Sequence, residues 1–248
     1  MTAARNATTA ARSLCIVGAS GGIGAAIARR TAAAGHAPMV LMDRNESGLR
    51  NLAQETDAIP VAVDIADDAA VAAAFAEARS QVAGLYGLVL AAGVVDNGKL
   101  ADLDARRWAD ILAVNLTGPF LCCRAAQDWL IDGGRIVTIG SLAGRTGGVI
   151  TGTAYAASKG GVEALTKSMA QELAPRAITV NCVAPGAVET PMLAAHPPAR
   201  KAAMSAATPL KRMASPDEVA AAVSYLLQPD AAFTTGSVLA VNGGLRMD

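Results

Sequence analysis

Short apolar runs alternate with longer helical patterns along this chain, and that alternation constrains the fold more than any other feature. The apolar runs predict strands at residues 14–17, 39–42, 59–63, 88–91, 135–139, 178–183 and 238–241. The helical patterns between them cover residues 23–34, 47–54, 67–82, 104–130, 154–173 and 217–227. Strictly alternating strands and helices build a parallel sheet with helices on both faces. The sequence therefore predicts an α/β fold, a doubly wound parallel sheet in a single domain.

Local signals mark where several of these helices begin, bend and end. Gly35 is placed to end the first helix, because glycine accepts the left-handed backbone that follows many helices. Gly118-Pro119 is expected to perturb the long 104–130 helix, since proline lacks the backbone N–H. Ser215 is a typical N-cap for the last helix, with a proline directly after it.

Length and composition limit what this chain can bind. Its 248 residues suit one α/β domain, and 52% are hydrophobic while only 3% are aromatic, so aliphatic side chains must fill the core. The net charge is zero and no basic stripe occurs, so we expect no nucleic-acid partner. No apolar run approaches the ~18 residues that cross a bilayer, so we expect no membrane span.

The N-terminal residues and the cysteines bear on location. Residues 1–12 lack an apolar stretch and so do not form a secretory signal. They predict a flexible tail ahead of a single domain at 13–248, with a transit peptide as the alternative. The four cysteines lie in apolar segments without metal-ligand spacing to a histidine, which predicts reduced core thiols, no metal site and a cytoplasmic protein. They are Cys15, Cys122, Cys123 and Cys182.

One segment departs from the regular alternation. Residues 190–213, between the sixth strand and the last helix, contain four prolines and many small residues. Because ligands bind at the C-terminal edge of a parallel sheet, an insertion there predicts a substrate lid. A passive surface excursion is the alternative.

A glycine-rich turn joins the first strand to the first helix. Gly18, Gly22 and Gly24 fall where glycine permits a tight turn, close backbone approach and close helix–strand packing. The free N–H groups at a helix N-terminus favour a pyrophosphate. The strand before and the helix after this turn therefore predict a dinucleotide site of the Rossmann type.

Charged residues at two strand ends extend this prediction. Asp43 ends the second strand, where a carboxylate accepts the hydroxyls of an adenine ribose and repels a 2′-phosphate. Arg44 follows at once and provides a cation that could hold such a phosphate. Asp64 ends the third strand and suits the adenine amino group. A turn-capping role is the alternative for both acids.

Tyr155 and Lys159 are four residues apart, so on a helix they share one face. A phenol titrates near ~10 in water, too high for proton exchange at neutral pH. A fixed cation nearby favours the phenolate and brings its pKa towards the working range. The spacing therefore predicts an acid–base pair, with a buried tyrosine and a solvated lysine as the alternative.

Taken together, these residues resemble the short-chain dehydrogenase/reductase family, the shorter single-domain kind, from about Leu14 to the C-terminus. The family's motifs occur here in the family's order. They are the glycines at 18, 22 and 24, Val114-Asn115-Leu116, Ile139-Gly140-Ser141, Tyr155-Ala156-Ala157-Ser158-Lys159, Asn181-Cys182-Val183-Ala184-Pro185-Gly186 and Thr190.

The chain also departs from the family pattern. The family's Asn-Asn-Ala-Gly turn is Leu90-Ala91-Ala92-Gly93 here, so we expect packing near the adenine to be held differently. Val17 replaces the family's threonine, and the interval from Ser141 to Tyr155 is one residue longer than usual, which lengthens a loop. A basic residue that NADP-dependent members often carry before the second motif glycine is Gly21 here.

The resemblance implies a role for each of four catalytic residues. Tyr155 would give a proton to a ketone oxygen or take one from an alcohol, and Lys159 would lower its pKa and bond the nicotinamide ribose. Ser141 would orient the substrate oxygen, and Asn115 would hold a water that links Lys159 to solvent. Ordinary turn and backbone-satisfying roles are the alternatives for Ser141 and Asn115.

The resemblance also implies the dinucleotide contacts and the reaction. The contacts are Gly18, Ser20, Gly22, Ile23, Gly24, Asp43, Arg44, Asp64, Ile65, Ala92, Gly93, Tyr155, Lys159, Pro185, Gly186, Val188 and Thr190. The reaction is hydride transfer between NAD(H) and a secondary alcohol or ketone, with NADP(H) as the alternative cofactor. The alternative functions are an NADPH-dependent 3-oxoacyl-[acyl-carrier-protein] reductase and, in another class, a non-catalytic dinucleotide-binding sensor.

Assembly is implied by the resemblance alone. Family members commonly form homotetramers or homodimers through the helices that correspond to residues 104–130 and 154–173. A face of small residues, Ala156, Gly160, Gly161 and Ala164, would allow close contact between helices of two subunits. The same residues would serve equally for packing within one subunit.

Overall fold

A seven-stranded parallel sheet forms the centre of the computed structural model, which describes residues 12–148, 151–194 and 196–247. The strands are β1 (Leu14–Val17), β2 (Met39–Asp43), β3 (Ile59–Ala62), β4 (Leu85–Leu90), β5 (Leu130–Ile139), β6 (Thr179–Pro185) and β7 (Val238–Val241). The helices are α1 (Gly22–Ala33), α2 (Glu46–Thr56), α3 (Asp68–Gln81), α4 (Ala105–Leu112), α5 (Gly118–Ala126), α6 (Ala143–Thr146), α7 (Thr153–Leu173), α8 (Pro191–Ala194), α9 (Pro198–Ala207) and α10 (Pro216–Leu226). The predicted tail at 1–12 lies, apart from Arg12, outside the described residues.

The strand order is β3-β2-β1-β4-β5-β6-β7, and each neighbouring pair is parallel. The direction of winding reverses between β1 and β4, which leaves a crevice at the C-terminal ends of these strands. The predicted doubly wound α/β fold is therefore confirmed.

Two apolar cores cover the two faces of the sheet. In β1, Cys15 and Val17 belong to one core while Leu14 and Ile16 belong to the other, as the period of two in a strand requires. Because both faces are buried, the strands are apolar throughout instead of alternating with polar residues. This explains why short unbroken apolar runs identified them in the sequence.

The prediction of one helix over residues 104–130 is wrong in two respects: the helix is interrupted, and it ends before residue 130. It is split into α4 and α5 by one π-helical turn at Ala113–Thr117, next to the Gly118-Pro119 pair that predicted a perturbation. Residue Leu130 belongs to β5, where it pairs with Leu85 of β4. Its apolar side chain is equally suited to a buried helix or strand, so sequence periodicity could not separate the two.

Several element boundaries and short helices were also missed. β4 begins at Leu85 instead of residue 88, and β5 begins at Leu130 instead of residue 135. The strand register shifts between Leu85 and Gly87 of β4, opposite residues 131–134 of β5. Segments α6, α8 and α9 are helices of four to ten residues that the sequence patterns did not indicate.

The predicted helix-end signals are present. Gly35 adopts φ +79° after α1, and the N–H groups of Gly35 and His36 donate to the carbonyls of Ala32 and Thr31, which is a Schellman motif. At the start of α10, Ser215 and Glu218 exchange side-chain and backbone hydrogen bonds and complete a capping box.

Disulfides, metal-binding clusters and membrane-spanning helices are absent from the described residues. All four cysteines are buried and free of disulfides. Across the described ranges, no group of three His, Cys, Asp or Glu side chains converges to hold a metal ion. Among the helices described, none is both long and apolar enough to cross a bilayer.

Candidate active site

The glycine-rich turn after β1 has no room for side chains. Gly18 has φ +81°, and a Cβ there would lie 2.3 Å from the backbone nitrogen of Ala92. A Cβ on Gly24 would lie 2.0 Å from the carbonyl oxygen of Gly18, and one on Gly22 would lie 3.0 Å from Thr190. Gly18 thus lets the turn lie close to the end of β4, Gly24 lets the turn fold tightly on itself, and Gly22 lets it lie close to the segment after β6. They leave the N-terminus of α1 open, with its first N–H groups unpaired within the helix.

Asp43 holds this turn through its carboxylate. One oxygen accepts the Ser20 N–H at 3.0 Å, and the other accepts the Asn45 N–H at 2.9 Å. Asp43 therefore does cap the turn, as the alternative interpretation proposed. Asp43 also lines the cavity described below. Arg44 beside it is exposed. Asp64 likewise accepts the Ala66 N–H at 3.0 Å while lining the same cavity.

A cavity of about 350 Å³ lies at the C-terminal ends of β1 to β4. Twelve of the predicted dinucleotide residues line it: Gly18, Ser20, Gly22, Ile23, Gly24, Asp43, Arg44, Asp64, Ile65, Ala92, Gly93 and Thr190. Its volume falls in the range of pockets that hold small ligands. Residues far apart in sequence, from Gly18 to Thr190, thus meet because the parallel strands end at one edge of the sheet.

Sequence reasoning missed seven further residues of the cavity wall, which are Val17, Gly21, Val63, Ala91, Val94, Val114 and Pro191. Each directly neighbours a predicted residue or motif in sequence, so their position next to a strand end or motif was the available signal. Conversely, five predicted contacts do not line this cavity, namely Tyr155, Lys159, Pro185, Gly186 and Val188. Val188 is buried in one of the two cores, and the Gly186 N–H donates to the carbonyl of Val241.

Asn115 lies in the π-helical turn with its side chain fully buried. Its amide oxygen accepts the Val94 N–H at 2.8 Å, and its amide nitrogen donates to the Val94 carbonyl at 2.9 Å and to the Ser158 hydroxyl at 3.1 Å. The Ser158 hydroxyl in turn donates to the carbonyl of Tyr155. Asn115 therefore holds the segment after β4, which lacks the family's two asparagines, against the helix that carries Tyr155.

Lys159 is buried beneath this site. Its ammonium donates to the carbonyl of Ile139 at 2.8 Å and lies 5.9 Å from the centre of the Tyr155 ring. Burial lowers the pKa of Lys159 from 10.5 to about 8, because the charged form loses its hydration. The alternative of a solvated lysine is therefore wrong.

Burial also raises the pKa of Tyr155, while the Ser141 side chain acts in the opposite direction. The expected lowering of this pKa by Lys159 is not seen here. The physical reason is that the ammonium is directed at a backbone carbonyl, and the cost of burying a phenolate outweighs the remaining stabilisation. At neutral pH the Tyr155 hydroxyl is accordingly protonated and able to donate.

Ser141 stands at the end of β5 and is positioned by two neighbouring elements. Its hydroxyl accepts the Ala143 N–H at 3.1 Å, and the next residue, Leu142, donates its N–H to the carbonyl of Pro185 at the end of β6. In α6, a Cβ on Gly144 would lie 2.7 Å from the backbone nitrogen of Gly160 in α7. This backbone-to-backbone contact fixes Ser141 relative to the helix of Tyr155.

The small residues of α7 pack largely within the chain. Gly160 faces Gly144 of α6, and a Cβ on Gly161 would lie 2.7 Å from the side chain of Leu116. Ala156 is buried, whereas Ala164 is exposed. For the two glycines, the interpretation as packing within one subunit is therefore the one the structure supports.

Comparison with known proteins agrees with this geometry. A family model described as enoyl-(acyl carrier protein) reductase matches residues 18–246. An inactive 2-(S)-hydroxypropyl-CoM dehydrogenase 2 of Xanthobacter autotrophicus is 37% identical over 226 residues, 87% of this chain and 98% of that protein. A 3-oxoacyl-[acyl-carrier-protein] reductase of Vibrio cholerae is 36% identical over 236 residues, 94% of this chain and 96% of that protein.

Among solved structures, a blue fluorescent protein from a metagenomic library, in complex with NADPH, superposes with a TM-score of 0.90. It is 34% identical, and the match covers 95% of this chain and 98% of that one. The chain belongs to the short-chain dehydrogenase/reductase family, NAD(P)-dependent oxidoreductases that act on CH–OH groups. The family resemblance found in the sequence is confirmed.

Proposed function

We propose that this protein transfers hydride between NAD(H) and a secondary alcohol or ketone, with Tyr155 as the general acid–base. The observation that carries the proposal is the position of Gly93. A Cβ there would lie 3.3 Å from the Asn115 amide oxygen and 3.4 Å from the Lys159 ammonium, so the cavity wall directly contacts the catalytic group. The proposed acid–base residues therefore adjoin the cavity that we propose holds the dinucleotide.

The residues around the cavity fit a nicotinamide dinucleotide. Gly18, Gly22 and Gly24 keep side chains out of the space beside the α1 N-terminus, where a pyrophosphate is favoured. Asp43 presents a carboxylate with unused lone pairs to the same cavity. A bound dinucleotide supplies or accepts the hydride, whereas the protein supplies orientation and proton transfer.

Proton transfer falls to Tyr155 in this proposal. Its raised pKa keeps the phenol protonated at neutral pH, so it can donate to the oxygen of a ketone as hydride arrives at the carbon. In the reverse direction the phenol must first give up its proton, and the resulting phenolate then accepts the hydroxyl proton of an alcohol. Ser141 donates a second hydrogen bond to the same oxygen, and Lys159, through its buried ammonium, bonds the nicotinamide ribose. Asn115 holds the backbone at Val94 and, as proposed from the family, a water that relays protons.

The preference for NAD(H) rests on Asp43 and Gly21. A negative charge at the end of β2 repels a 2′-phosphate, and Gly21 offers no cation to hold one. The free, buried cysteines agree with a reducing compartment, which supports a cytoplasmic location.

A second candidate is an NADPH-dependent 3-oxoacyl-[acyl-carrier-protein] reductase. The specific observation in its favour is Arg44, an exposed cation that lines the cavity next to Asp43. The Vibrio cholerae relative carries that name, and the blue fluorescent protein is in complex with NADPH. The two candidates differ in cofactor and in the size of the substrate.

The segment 190–213 is proposed as the substrate lid. Thr190 and Pro191 line the dinucleotide cavity. Thr208, Leu210 and Arg212 line a second cavity of about 230 Å³ that lies against β7. The segment contains two short helices and borders both cavities. We therefore propose that it moves when a ligand binds.

Replacement of Tyr155 by Phe tests the chemistry. Tyr155→Phe should abolish turnover of alcohols and ketones while NADH affinity stays within about threefold, less than about 0.7 kcal/mol. Tyr225→Phe is the matched control, because Tyr225 is half exposed on α10 and should retain full activity. Full activity in Tyr155→Phe would contradict the proposed mechanism.

The wild-type protein must first be assayed with a panel of alcohols and ketones. Tight dinucleotide binding without any turnover would favour the interpretation as a non-catalytic sensor. The Xanthobacter relative, which is named inactive, is a reason to make this test.

The cofactor is tested by fluorescence titration with NADH and, separately, NADPH. Tighter NADH binding that is lost in Asp43→Ser supports Asp43 as the ribose ligand. Tighter NADPH binding that is lost in Arg44→Gln would place the acyl-thioester reductase first. Each variant is the control for the other, since the two residues are adjacent and both line the cavity.

A further inference from the structure

Asp96 is a buried acid that none of the family motifs includes. It lies two residues after Val94, in the segment that Asn115 holds, and its side chain is only 2% exposed. Its carboxylate forms an ion pair with Arg107 of α4 and accepts the Gly98 N–H at 3.0 Å. A carboxylate is rarely buried to this extent unless it is paired and hydrogen-bonded, so its retention in this place requires an explanation.

The backbone of Asp96 contacts the start of the catalytic helix. Gly152 is the N-cap residue of α7, and its N–H donates to the carbonyl of Asp96 at 2.6 Å. A Cβ on Gly152 would lie 2.4 Å from an Asp96 carboxylate oxygen and 2.6 Å from the Gly98 carbonyl. The turn at 96–98 is thus packed directly against the residue that begins α7, three positions before Tyr155.

Among the described residues, no side chain caps the start of α7 by a hydrogen bond. The N-cap Gly152 offers no side chain, and the first turn of α7 contains no acidic residue. A carboxylate at this end of a helix interacts favourably with the partial positive charge there. The first turn of this 21-residue helix contains no negative charge, and Asp96 supplies one from another segment of the chain.

We propose that Asp96 is a positioning residue for Tyr155, and that its ion pair with Arg107 is what keeps the 94–98 segment and the start of α7 in register. The inference rests on the proposed function, because it concerns the same acid–base. Asp96 acts through Gly152 on one side and through the segment that begins at Val94 on the other. Loss of its charge would let the first turn of α7 fray and displace the Tyr155 hydroxyl from Ser141.

The experiment compares three variants of the full-length protein. Asp96→Asn keeps the size and the bond to Gly98 but removes the charge. Arg107→Gln removes the half-exposed partner and leaves the buried Asp96 carboxylate unpaired, so we expect some loss of stability in this variant. Arg107→Lys keeps a cation and should rescue. Arg106→Gln is the matched control, since Arg106 is exposed on the same helix.

Asp96→Asn and Arg107→Gln should lower kcat by roughly tenfold, about 1.4 kcal/mol of activation free energy, with the Kd for NADH nearly unchanged. The melting temperature should fall more in Arg107→Gln, which leaves a buried carboxylate unpaired, than in Asp96→Asn, which leaves a half-exposed arginine in water. Arg107→Lys and Arg106→Gln should stay within about threefold of wild-type kcat, under about 0.7 kcal/mol. A drop in kcat without a loss of dinucleotide affinity separates positioning from a general structural role.

Amide hydrogen exchange supplies a readout that needs no substrate. Exchange of the first hydrogen-bonded amides of α7, residues 156–158, should accelerate in Asp96→Asn, while the amides of β4 and β5 stay protected. If the wild-type protein turns over no alcohol, the proposed function fails but this test still stands. Unchanged exchange together with unchanged kcat overturns the positioning role, and so does faster exchange spread evenly over the sheet.

Discussion

At the scale of single residues, the chemistry of the site depends on how burial changes two titrating groups. Lys159 is enclosed by Gly93, Ile139 and the ring of Tyr155, and its pKa falls to about 8 because the ammonium has lost most of its water. Tyr155 is shifted upward by the same physical cause. The two effects have opposite signs because burial always favours the neutral form.

The pKa of Lys159 has a consequence for stability. A folded-state pKa near 8, against 10.5 when unfolded, means that the unfolded chain binds more protons between these pH values. The free energy of unfolding due to Lys159 therefore rises with pH from about 8 to about 10.5, by roughly 3 kcal/mol in total. Below pH 8 both states carry the proton, so this contribution is constant.

Lys159→Met isolates that contribution. Urea unfolding of wild type and variant between pH 7 and pH 10 should show the wild type gaining stability relative to the variant as pH rises. Titrations of groups far from Lys159 occur in both proteins and cancel in the difference, whereas that of the Cys182 thiol, whose pKa the Lys159 charge lowers, does not. A difference that stays flat over this range would mean that Lys159 titrates as it does in water.

At the scale of an element, the glycines in the turn from β1 into α1 differ in whether the structure leaves room for a side chain. Gly24 sits where a Cβ would meet the Gly18 carbonyl at 2.0 Å, whereas a Cβ on Gly21 would meet the same oxygen at 3.5 Å, an ordinary contact. Gly21 also has φ −73°, which any residue adopts. The two glycines are three residues apart but only one is sterically required.

Gly24→Ala should therefore weaken NADH binding by at least ~10-fold, about 1.4 kcal/mol, because the turn must open to admit the methyl group. Gly21→Ala is the matched control and should bind NADH within about threefold of wild type, below about 0.7 kcal/mol. Fluorescence titration measures both. Equal affinity in the two variants would show that the turn is soft enough to absorb the clash.

At the scale of the whole molecule, large apolar side chains remain exposed on the helices that the family uses for assembly. Trp108 on α4 is 37% exposed and Phe120 on α5 is 44% exposed. Burying them against a second copy would remove apolar surface from water. Assembly through α4, α5 and α7 thus stays a proposal with a specific apolar surface.

Light scattering should give a mass of at least two chains, each of 24.9 kDa. Phe120→Asp should reduce that mass, because a charge would be buried at the contact. Ile131→Asp is the control, since Ile131 is a similarly exposed apolar residue at the start of β5, away from these helices. A wild-type mass near that of one chain would remove the assembly proposal.

The sequence by itself determined the fold class, the order of the elements and the motif residues. Unbroken apolar runs mark strands covered on both faces, and residues such as Gly35 and Ser215 mark helix ends through backbone conformation and hydrogen bonding that are local. The i, i+4 spacing of Tyr155 and Lys159 likewise depends only on helix geometry. These features were predictable because each depends on neighbours a few residues away.

Only the tertiary structure decided the rest. The pKa directions of Tyr155 and Lys159, the clamp of Asn115 on Val94 and the burial of Asp96 all depend on residues far away in sequence that meet at one edge of the sheet. The strand identity of Leu130 depends in the same way on its pairing with β4. Burial and long-range contact set these properties, and neither is encoded in local spacing.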